Sequence, residues 1–254
     1  LPPLGVDMSS EKLNVSVVLL TKNEEHNIDA CLGSCSFAKE IIVVDDESTD
    51  GTVAKAKAFG AKVFTRALAG NWGEQQTFAI SKASCEWVFL IDADERVSPL
   101  LAQNLAKTLE HNPQKAFWIQ RENHYNSGRK AHGILRPDWV MRLLPREGAL
   151  VEGQVHPTIC SPFPQEKLSG HLIHFPYRNW EAYFRKFEKY TTLSAEKYES
   201  QGKHCGFVNG IIIKPLWAFL KVYFFNLGFL DGKIGWTLSV YHYFYTMTKY
   251  VKLY

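Results

Sequence analysis

The sequence has little net charge, few cysteines and no long uninterrupted apolar run, and each shortage excludes a class of protein. Its 29 basic and 26 acidic side chains leave a net charge of +3, too small for a dedicated nucleic-acid-binding domain. The five cysteines form an odd set without a Cys-x-x-Cys pair. This argues against a disulfide framework or zinc site and favours a reducing, cytosolic setting. With 46% hydrophobic and 22% charged residues, the chain has the composition of a globular protein.

The chain begins without the charged and then apolar segment of a secretory leader, so we expect a protein that is not exported. Residues 1–13 are expected to form an N-terminal tail. The seven residues before Met8 are either foreign to the natural protein or a natural extension. We expect an α/β catalytic domain over 14–178 and a helical segment over 179–254, because the composition changes near the end of the chain.

That change is largest over the last 52 residues. Residues 203–254 hold six lysines and a single acid, Asp231, for a net charge of +5, so residues 1–202 must carry −2. The same residues contain 14 of the 34 aromatic side chains. The chain therefore joins an ordinary α/β sequence to a basic and very aromatic segment.

Three short apolar runs predict buried parallel strands at 15–21, 40–45 and 87–92. A shorter strand is expected at 61–65. Helical patterns separate these runs at 27–36, 52–59, 74–83 and 99–111, which indicates βαβ units on a mostly parallel, twisted sheet flanked by helices. Further on, the sequence predicts strands at 116–121, 139–144 and 172–175 and an amphipathic helix at 179–200.

Polar residues follow directly on three of these strands. The clusters are Thr21-Lys-Asn-Glu-Glu25, Asp45-Asp-Glu-Ser-Thr-Asp-Gly-Thr52 and Asp92-Ala-Asp-Glu95. In an open parallel sheet, ligands bind beyond the carboxyl ends of the strands. Helix capping is an equal alternative for Ser48, Asp50 and Thr52, whereas Asp92 and Asp94 suit a hard cation, Mg²⁺ or Mn²⁺, that keeps positions for phosphates.

Taken in order, the three clusters resemble those of family 2 glycosyltransferases with the GT-A fold. The resemblance covers roughly residues 14–175 and includes Trp72-Gly-Glu-Gln-Gln76. Within the family, the chain looks most like bacterial lipopolysaccharide-core glucosyltransferases. It departs from the family at Glu47, where glycine is commoner, and at Thr77, where asparagine is frequent.

The resemblance implies a function and a site. The function is inverting, metal-dependent transfer of a sugar, glucose by resemblance, from a UDP-sugar to a hydroxyl of a lipid-linked glycan such as lipopolysaccharide inner core. Asp45 or Asp46 would accept the uracil N3–H, Asp92 would hold the ribose or a metal-bound water, and Asp94 would bind the metal. The residues implied to bind the nucleotide-sugar are Thr21, Asn23, Glu24, Asp45, Asp46, Gln75 and Asp92.

Inversion needs a base for the acceptor hydroxyl, and Val151-Glu-Gly-Gln-Val-His-Pro157 offers two candidates. Glu152 is the first; the alternative is a surface glutamate on a turn. His156 is the competitor, as base or third metal ligand, unless it is a structural histidine. Asp138 is a weaker candidate. Arg136 and Arg142 either grip phosphate or are ordinary surface charges.

Residues 203–254 are too often interrupted by polar residues to predict spanning helices. Aromatic residues interleaved with lysines predict a peripheral segment at the cytoplasmic face of the inner membrane; core closure or a homodimer contact is the alternative. Two other functions stay open: a non-catalytic, membrane-associated module that binds nucleotide-sugar, and a nucleotidyltransferase, although the acidic loop after the first strand is unusual for the latter.

Overall fold

The computed structural model describes residues 12–111, 113–153, 158–176 and 179–253. The chain divides into two compact units. The first unit is made of Leu1–Arg121 and Trp139–Ile173, and the second unit of Glu122–Asp138 and His174–Tyr254. The second unit thus combines the C-terminal segment with a loop region from the middle of the chain.

The first unit contains strands and helices in alternation up to residue 111. In chain order the elements are β1 (Leu13–Thr21), α1 (Ile28–Ser34), β2 (Ala38–Asp45), α2 (Thr52–Ala58), β3 (Lys62–Thr65), α3 (Trp72–Ser81), β4 (Trp87–Asp92), β5 (Glu95–Val97), α4 (Pro99–His111), β6 (Ala116–Asn123), β7 (Asp138–Pro145), β8 (Leu150–Glu152), β9 (Thr158–Cys160) and β10 (Gln165–His174). Strands β6, β7 and β10 each have an end in the second unit.

Eight of these strands form one sheet in the order β3-β2-β1-β4-β7-β6-β10-β5, and β8 and β9 form a separate antiparallel pair. Strand β1 pairs in parallel with β2 and β4, and β2 pairs in parallel with β3. Strand β7 joins β4 in the antiparallel direction. A mixed α/β sheet with a parallel N-terminal half confirms the fold class expected from the sequence.

Successive residues of β1 explain why the strand sequences are almost continuously apolar. Val17 and Leu19 pack in one buried cluster with Leu32 of α1 and Leu101 of α4. Val18 lies in a second cluster with Ile80 of α3. Because helices cover both faces of the sheet, both faces of the strand are mostly apolar. Its internal polar residue, Ser16, is buried and donates to Glu40 at 2.6 Å.

Three short strands and part of a fourth were not expected. Residues 95–97, 150–152 and 158–160 form strands of only three residues each. Strand β10 begins at Gln165 rather than near residue 172, because its first three residues are exposed and polar and have no apolar periodicity to read.

The second unit is largely helical. Its elements are α5 (Trp180–Ser200), α6 (Lys214–Leu220) between π-helical turns at Asn209–Ile213 and Lys221–Phe225, and α7 (Gly232–Val251), with 3₁₀ turns at Gly133–Leu135 and Gly228–Asp231. In the described residues no helix alone has the length and apolarity needed to cross a bilayer. The segments Asn209–Phe225 and Gly228–Val251 meet that requirement only together, and the bend between them is 71°.

Candidate active site

The expected site lies where β1, β2 and β4 end. Thr21, the last residue of β1, is paired with Asp45, the last residue of β2. Asp92, the last residue of β4, is paired with Leu20. Because the three strands are parallel neighbours, their polar residues meet at one edge of the sheet, as the sequence predicts.

Two buried polar atoms at this edge have no hydrogen-bond partner among the described residues. Asp45 is 1% exposed, and its Oδ2 accepts the backbone N–H of Ser48 at 2.8 Å. No described residue donates to the other oxygen of Asp45, Oδ1, or hydrogen-bonds to Oγ1 of Thr21, although both atoms are buried. An unsatisfied buried polar atom costs about 1–3 kcal/mol, so this pair is well suited to a donor group from a ligand.

Other motif residues hold the loops of the site together. The Oδ1 of Asn23 accepts the Thr49 N–H at 2.8 Å, and the Asn23 N–H donates to Ser48 Oγ at 2.8 Å. Of the three residues for which capping of α2 was the alternative, Asp50 accepts the Thr52 N–H at 3.0 Å, next to the N-cap position at Gly51. Ser48 instead joins the loop after β2 to the loop after β1.

The position where glycine is common in the family has a left-handed backbone. Glu47 has a φ of 53° and Asn23 a φ of 55°. Asparagine is one of the few non-glycine residues that adopts this conformation readily. At Glu47 the positive φ is consistent with the glycine that is common at this position, and here a glutamate adopts it.

Asp46 and Gln75 both contact the segment after β3. Asp46 accepts the Leu68 N–H at 2.8 Å and the ammonium of Lys22 at 2.8 Å. Burial alone raises the pKa of Asp46, but these two donors outweigh burial and lower its pKa below the usual value. Gln75 is buried and exchanges two hydrogen bonds with Arg66.

Glu24 also takes part in this bracing. Its Oε2 accepts the amide of Asn27 at 2.9 Å, and its backbone N–H donates to Thr52 Oγ1 at 2.8 Å. The start of α1 is thereby tied to the start of α2. Of the seven residues expected to bind the nucleotide-sugar, Asn23, Glu24, Asp46 and Gln75 thus use their side chains to brace the loops of the site.

A buried ionic cluster supports the first acid of the Asp-x-Asp motif. Arg142 on β7 is 6% exposed and contacts Asp92 and, at 2.6 Å, Glu95. Arg121 lies 3.5 Å from the same Glu95 oxygen, and Glu95 accepts the Asp92 N–H at 3.1 Å. Although burial lowers the pKa of Arg142, the two carboxylates raise it above its ordinary value. Arg142 is therefore not the surface charge allowed as an alternative.

The burial of Glu95 and its pairing with Arg142 are not predicted from the sequence. One feature of the sequence could have indicated this pairing, namely a lone arginine inside the apolar run Trp139-Val-Met-Arg-Leu-Leu144. A buried arginine requires an acidic partner that is buried with it. Arg136, by contrast, is exposed beside the 3₁₀ turn Gly133–Leu135 of the second unit.

The donor set fits a divalent ion of the Mg²⁺ type. Asp92 has a side chain that is 45% exposed, and Asp94 follows two residues later and is partly exposed. The described part of the chain contains no group of three or more histidine, cysteine, aspartate or glutamate side chains that could hold a metal. Two carboxylates suffice where phosphates and water complete the coordination, as Mg²⁺ sites require.

The base candidate Glu152 lies on a strand fixed to α3. Val151 exchanges hydrogen bonds with Thr77 Oγ1 at 3.3 and 3.4 Å. A Cβ on Gly73 would lie 2.6 Å from the carbonyl oxygen of Gly153, so only glycine permits this approach. Glu152 itself is exposed, and the motif Trp72-Gly-Glu-Gln-Gln76 thus supports the strand that carries it.

The two other base candidates are less defined. His156 lies outside the described residues. Asp138 is an exposed residue at the start of β7 in the second unit. Glu152 is accordingly the base candidate whose surroundings the structure describes within the first unit.

This mixed α/β fold, with polar motifs gathered at the carboxyl edge of its parallel strands, is that of an α/β enzyme, and comparison with known proteins identifies the family. The profile of Glycosyl transferase family 2 matches residues 16–169. The chain belongs to this family and is a glycosyltransferase. An uncharacterized glycosyltransferase of Rickettsia typhi is 30% identical over 94% of this chain and 86% of its own length.

A second relative has a described role. The lipopolysaccharide core biosynthesis glycosyltransferase LpsC of Rhizobium meliloti is 29% identical over 88% of each chain. Among solved structures, glucosyl-3-phosphoglycerate synthase of Mycobacterium tuberculosis, in complex with Mn²⁺, UDP and glucosyl-3-phosphoglycerate, is 21% identical. The matched region spans 66% of this chain and 74% of the synthase chain, with a TM-score of 0.44.

Proposed function

We propose that this glycosyltransferase transfers a sugar, glucose in our expectation, from a UDP-sugar to a hydroxyl of a lipid-linked glycan such as lipopolysaccharide inner core. The observation that carries the proposal is the pair of buried, unsatisfied acceptors, Thr21 Oγ1 and Asp45 Oδ1, at the same sheet edge as Asp92. A uracil ring offers one N–H donor for such an acceptor. The role named for the relative LpsC supports the choice of acceptor.

The reaction proposed is a single displacement with inversion. The acceptor hydroxyl oxygen attacks the anomeric carbon, the bond from that carbon to the diphosphate oxygen breaks, and UDP leaves with the bonding electrons. Glu152 takes the hydroxyl proton, and His156 is the alternative acceptor of that proton. Asp94, with Asp92, would hold Mg²⁺ or Mn²⁺, which would offset the charge of the departing diphosphate.

We propose further that the C-terminal segment contacts the cytoplasmic face of the inner membrane. Of 23 well-exposed large apolar side chains in the described residues, fifteen lie between Phe207 and Val251. Trp217 and Phe225 are 56% and 70% exposed, and the nearby Lys221 is also exposed. Exposed aromatic side chains beside lysines suit the headgroup region of an anionic bilayer, where a lipid-linked acceptor would be found.

The test is release of UDP from UDP-glucose, with Mn²⁺ and a lipopolysaccharide core acceptor, by wild type and by Asp94→Asn. We expect the variant to lose at least 100-fold in turnover, while the matched surface variant Asp29→Asn, whose carboxylate pairs with Lys55 at 2.9 Å, keeps wild-type activity. Glu152→Gln should lower turnover by about 10²–10⁴ without changing the affinity for UDP. Turnover by Asp94→Asn close to that of wild type would contradict the metal role.

A further inference from the structure

The second unit contains an aromatic pocket that the proposed chemistry does not use. Its volume is about 240 Å³, and its walls include Trp180, Tyr183 and Leu238. The volume is below the range of about 300–1,000 Å³ typical of pockets for drug-sized ligands. It is therefore suited to a ligand of about one six-membered ring.

The aromatic wall of the pocket is rigidly supported. The ring of Trp180 lies 5.6 Å from that of Tyr183 and 5.8 Å from that of Tyr241, centroid to centroid. Tyr183 is buried, whereas Trp180 remains 46% exposed. A partly exposed ring held by two others offers a flat apolar surface with little entropy left to lose on binding.

His124 contributes an acceptor at the pocket. Its Nδ1 lies 3.0 Å from the carbonyl oxygen of Gly128, so the neutral ring carries its proton on Nδ1. Its Nε2 is then an acceptor, and this buried atom has no hydrogen bond from any described residue. The carboxylate of Glu122 is 3.8 Å from Nε2, beyond hydrogen-bonding distance.

Asn179 contributes a donor. Its Oδ1 accepts the Ala182 N–H at 2.8 Å as the N-cap of α5, and the NH₂ group of the same side chain is a donor. The exposed hydroxyl of Ser127 adds a group that can donate or accept. The pocket thus combines a flat apolar wall with separate donors and acceptors.

We infer that this pocket binds a sugar ring of the acceptor glycan. A pyranose has an apolar C–H face that can lie on Trp180 and a rim of hydroxyls that can meet His124 and Asn179. A nucleotide would require cations for its phosphates, and the described lining residues include neither lysine nor arginine. This inference rests on the proposed function in one respect, the identity of the glycan that supplies the sugar ring.

The experiment uses the full chain and deacylated lipopolysaccharide core oligosaccharide as the probe, with binding followed by saturation-transfer NMR. Trp180→Ala should weaken binding and raise the acceptor KM at least tenfold, without changing the KM for UDP-glucose. Trp180→Phe should restore most of the binding. Trp139→Ala, which removes an exposed tryptophan of the first unit, is the matched control and should leave both constants unchanged.

A second variant keeps the inference testable if Trp180→Ala does not fold. Ser127→Tyr changes an exposed turn residue, which rarely alters stability by more than about 0.5 kcal/mol, and its ring would fill the pocket. Unchanged oligosaccharide binding in folded Trp180→Ala or Ser127→Tyr would overturn the inference. So would binding that requires the acyl chains of intact lipopolysaccharide.

The two proposals fail in different ways. UDP release from UDP-glucose without Trp180-dependent oligosaccharide binding would overturn the pocket and leave the proposed function standing. Trp180-dependent oligosaccharide binding without any turnover of UDP-sugars would support the pocket as a glycan site while contradicting the proposed function.

Discussion

Replacing Arg142 with methionine tests whether the buried ionic cluster holds the end of β4 in place. The substitution keeps an unbranched side chain that can fill the space of the arginine methylene groups, but it removes the charge that lies between Asp92 and Glu95. Glu95 is fully buried, so water cannot replace the lost partner. Arg121 remains, but at 3.5 Å it is the more distant cation.

The expected loss of stability is large. Two unit charges about 4 Å apart interact by about 4 kcal/mol at an effective dielectric constant of about 20. Removing one partner of a buried pair typically costs about 3–5 kcal/mol, a large part of the roughly 5–15 kcal/mol that stabilises a folded domain. At about 2–4 °C per kcal/mol, we expect the unfolding midpoint of Arg142→Met to fall by roughly 10 °C.

A double variant separates lost charge from lost packing. Glu95→Gln in the Arg142→Met background removes the carboxylate that the first change left unpaired, so the double variant should be more stable than Arg142→Met alone. The exposed Arg146, which donates to the Cys85 carbonyl oxygen at 3.0 Å, provides the control Arg146→Met, with an expected loss below about 1 kcal/mol.

The pH dependence supplies a second test of the same cluster. Burial raises the pKa of Glu95, Arg142 opposes this, and Asp92 reinforces it. A raised pKa in the folded state favours folding at low pH and disfavours it as the pH rises. The deficit of Arg142→Met, measured by urea unfolding, should therefore shrink from pH 7 toward pH 5. A loss below about 1 kcal/mol, or a double variant no more stable than the single one, would refute the charge argument.

Two further predictions concern other parts of the molecule. Burial raises the pKa of Glu40, but hydrogen bonds from Lys62 and Ser16, among others, outweigh burial and lower it from 4.5 to about 2. Glu40→Gln should cost about 3 kcal/mol at pH 7, and urea unfolding should show this difference disappearing as the pH falls from about 4.5 toward 2. Lys221→Glu should weaken co-sedimentation of the full chain with anionic vesicles at least fivefold, since each lysine near such a surface contributes about 1 kcal/mol to binding. Lys39→Glu, which changes an exposed lysine of the first unit, is the control. Equal sedimentation of the two variants would contradict the membrane contact.

Apart from the three-residue strand β5, the order of strands and helices up to residue 111 follows from local patterns, because each of these elements has one dominant signal. The β1 run is apolar on both faces because α1 and α3 pack on opposite sides of it. Asn179 was expected inside a helix and is its N-cap, a shift of one residue. The three-residue strand at Leu150–Glu152 carries no such signal, because tertiary contacts with Thr77 stabilise it.

The candidate site was harder to predict in detail. Sequence patterns indicate which residues lie at the same edge of the sheet, but the role of each residue depends on its contacts in the folded structure. Glu95 follows directly on Asp92-Ala-Asp94 and looks like a third acid of the motif, yet it is buried and paired with Arg142. The partner lies 47 positions away. No local pattern links the two residues, and only the antiparallel return of β7 beside β4 brings them together.

The motif residues of the strand edge therefore fall into two groups that a binding assay can separate. Asn23 and Gln75 are bonded to neighbouring loops, so their side chains set the shape of the site through the protein itself. Thr21 and Asp45 keep buried atoms unsatisfied, which lowers the stability of the protein without ligand and becomes favourable only when a ligand donates. The proposed function needs both kinds of residue, because recognition of a base there would depend on acceptors that the described residues leave open.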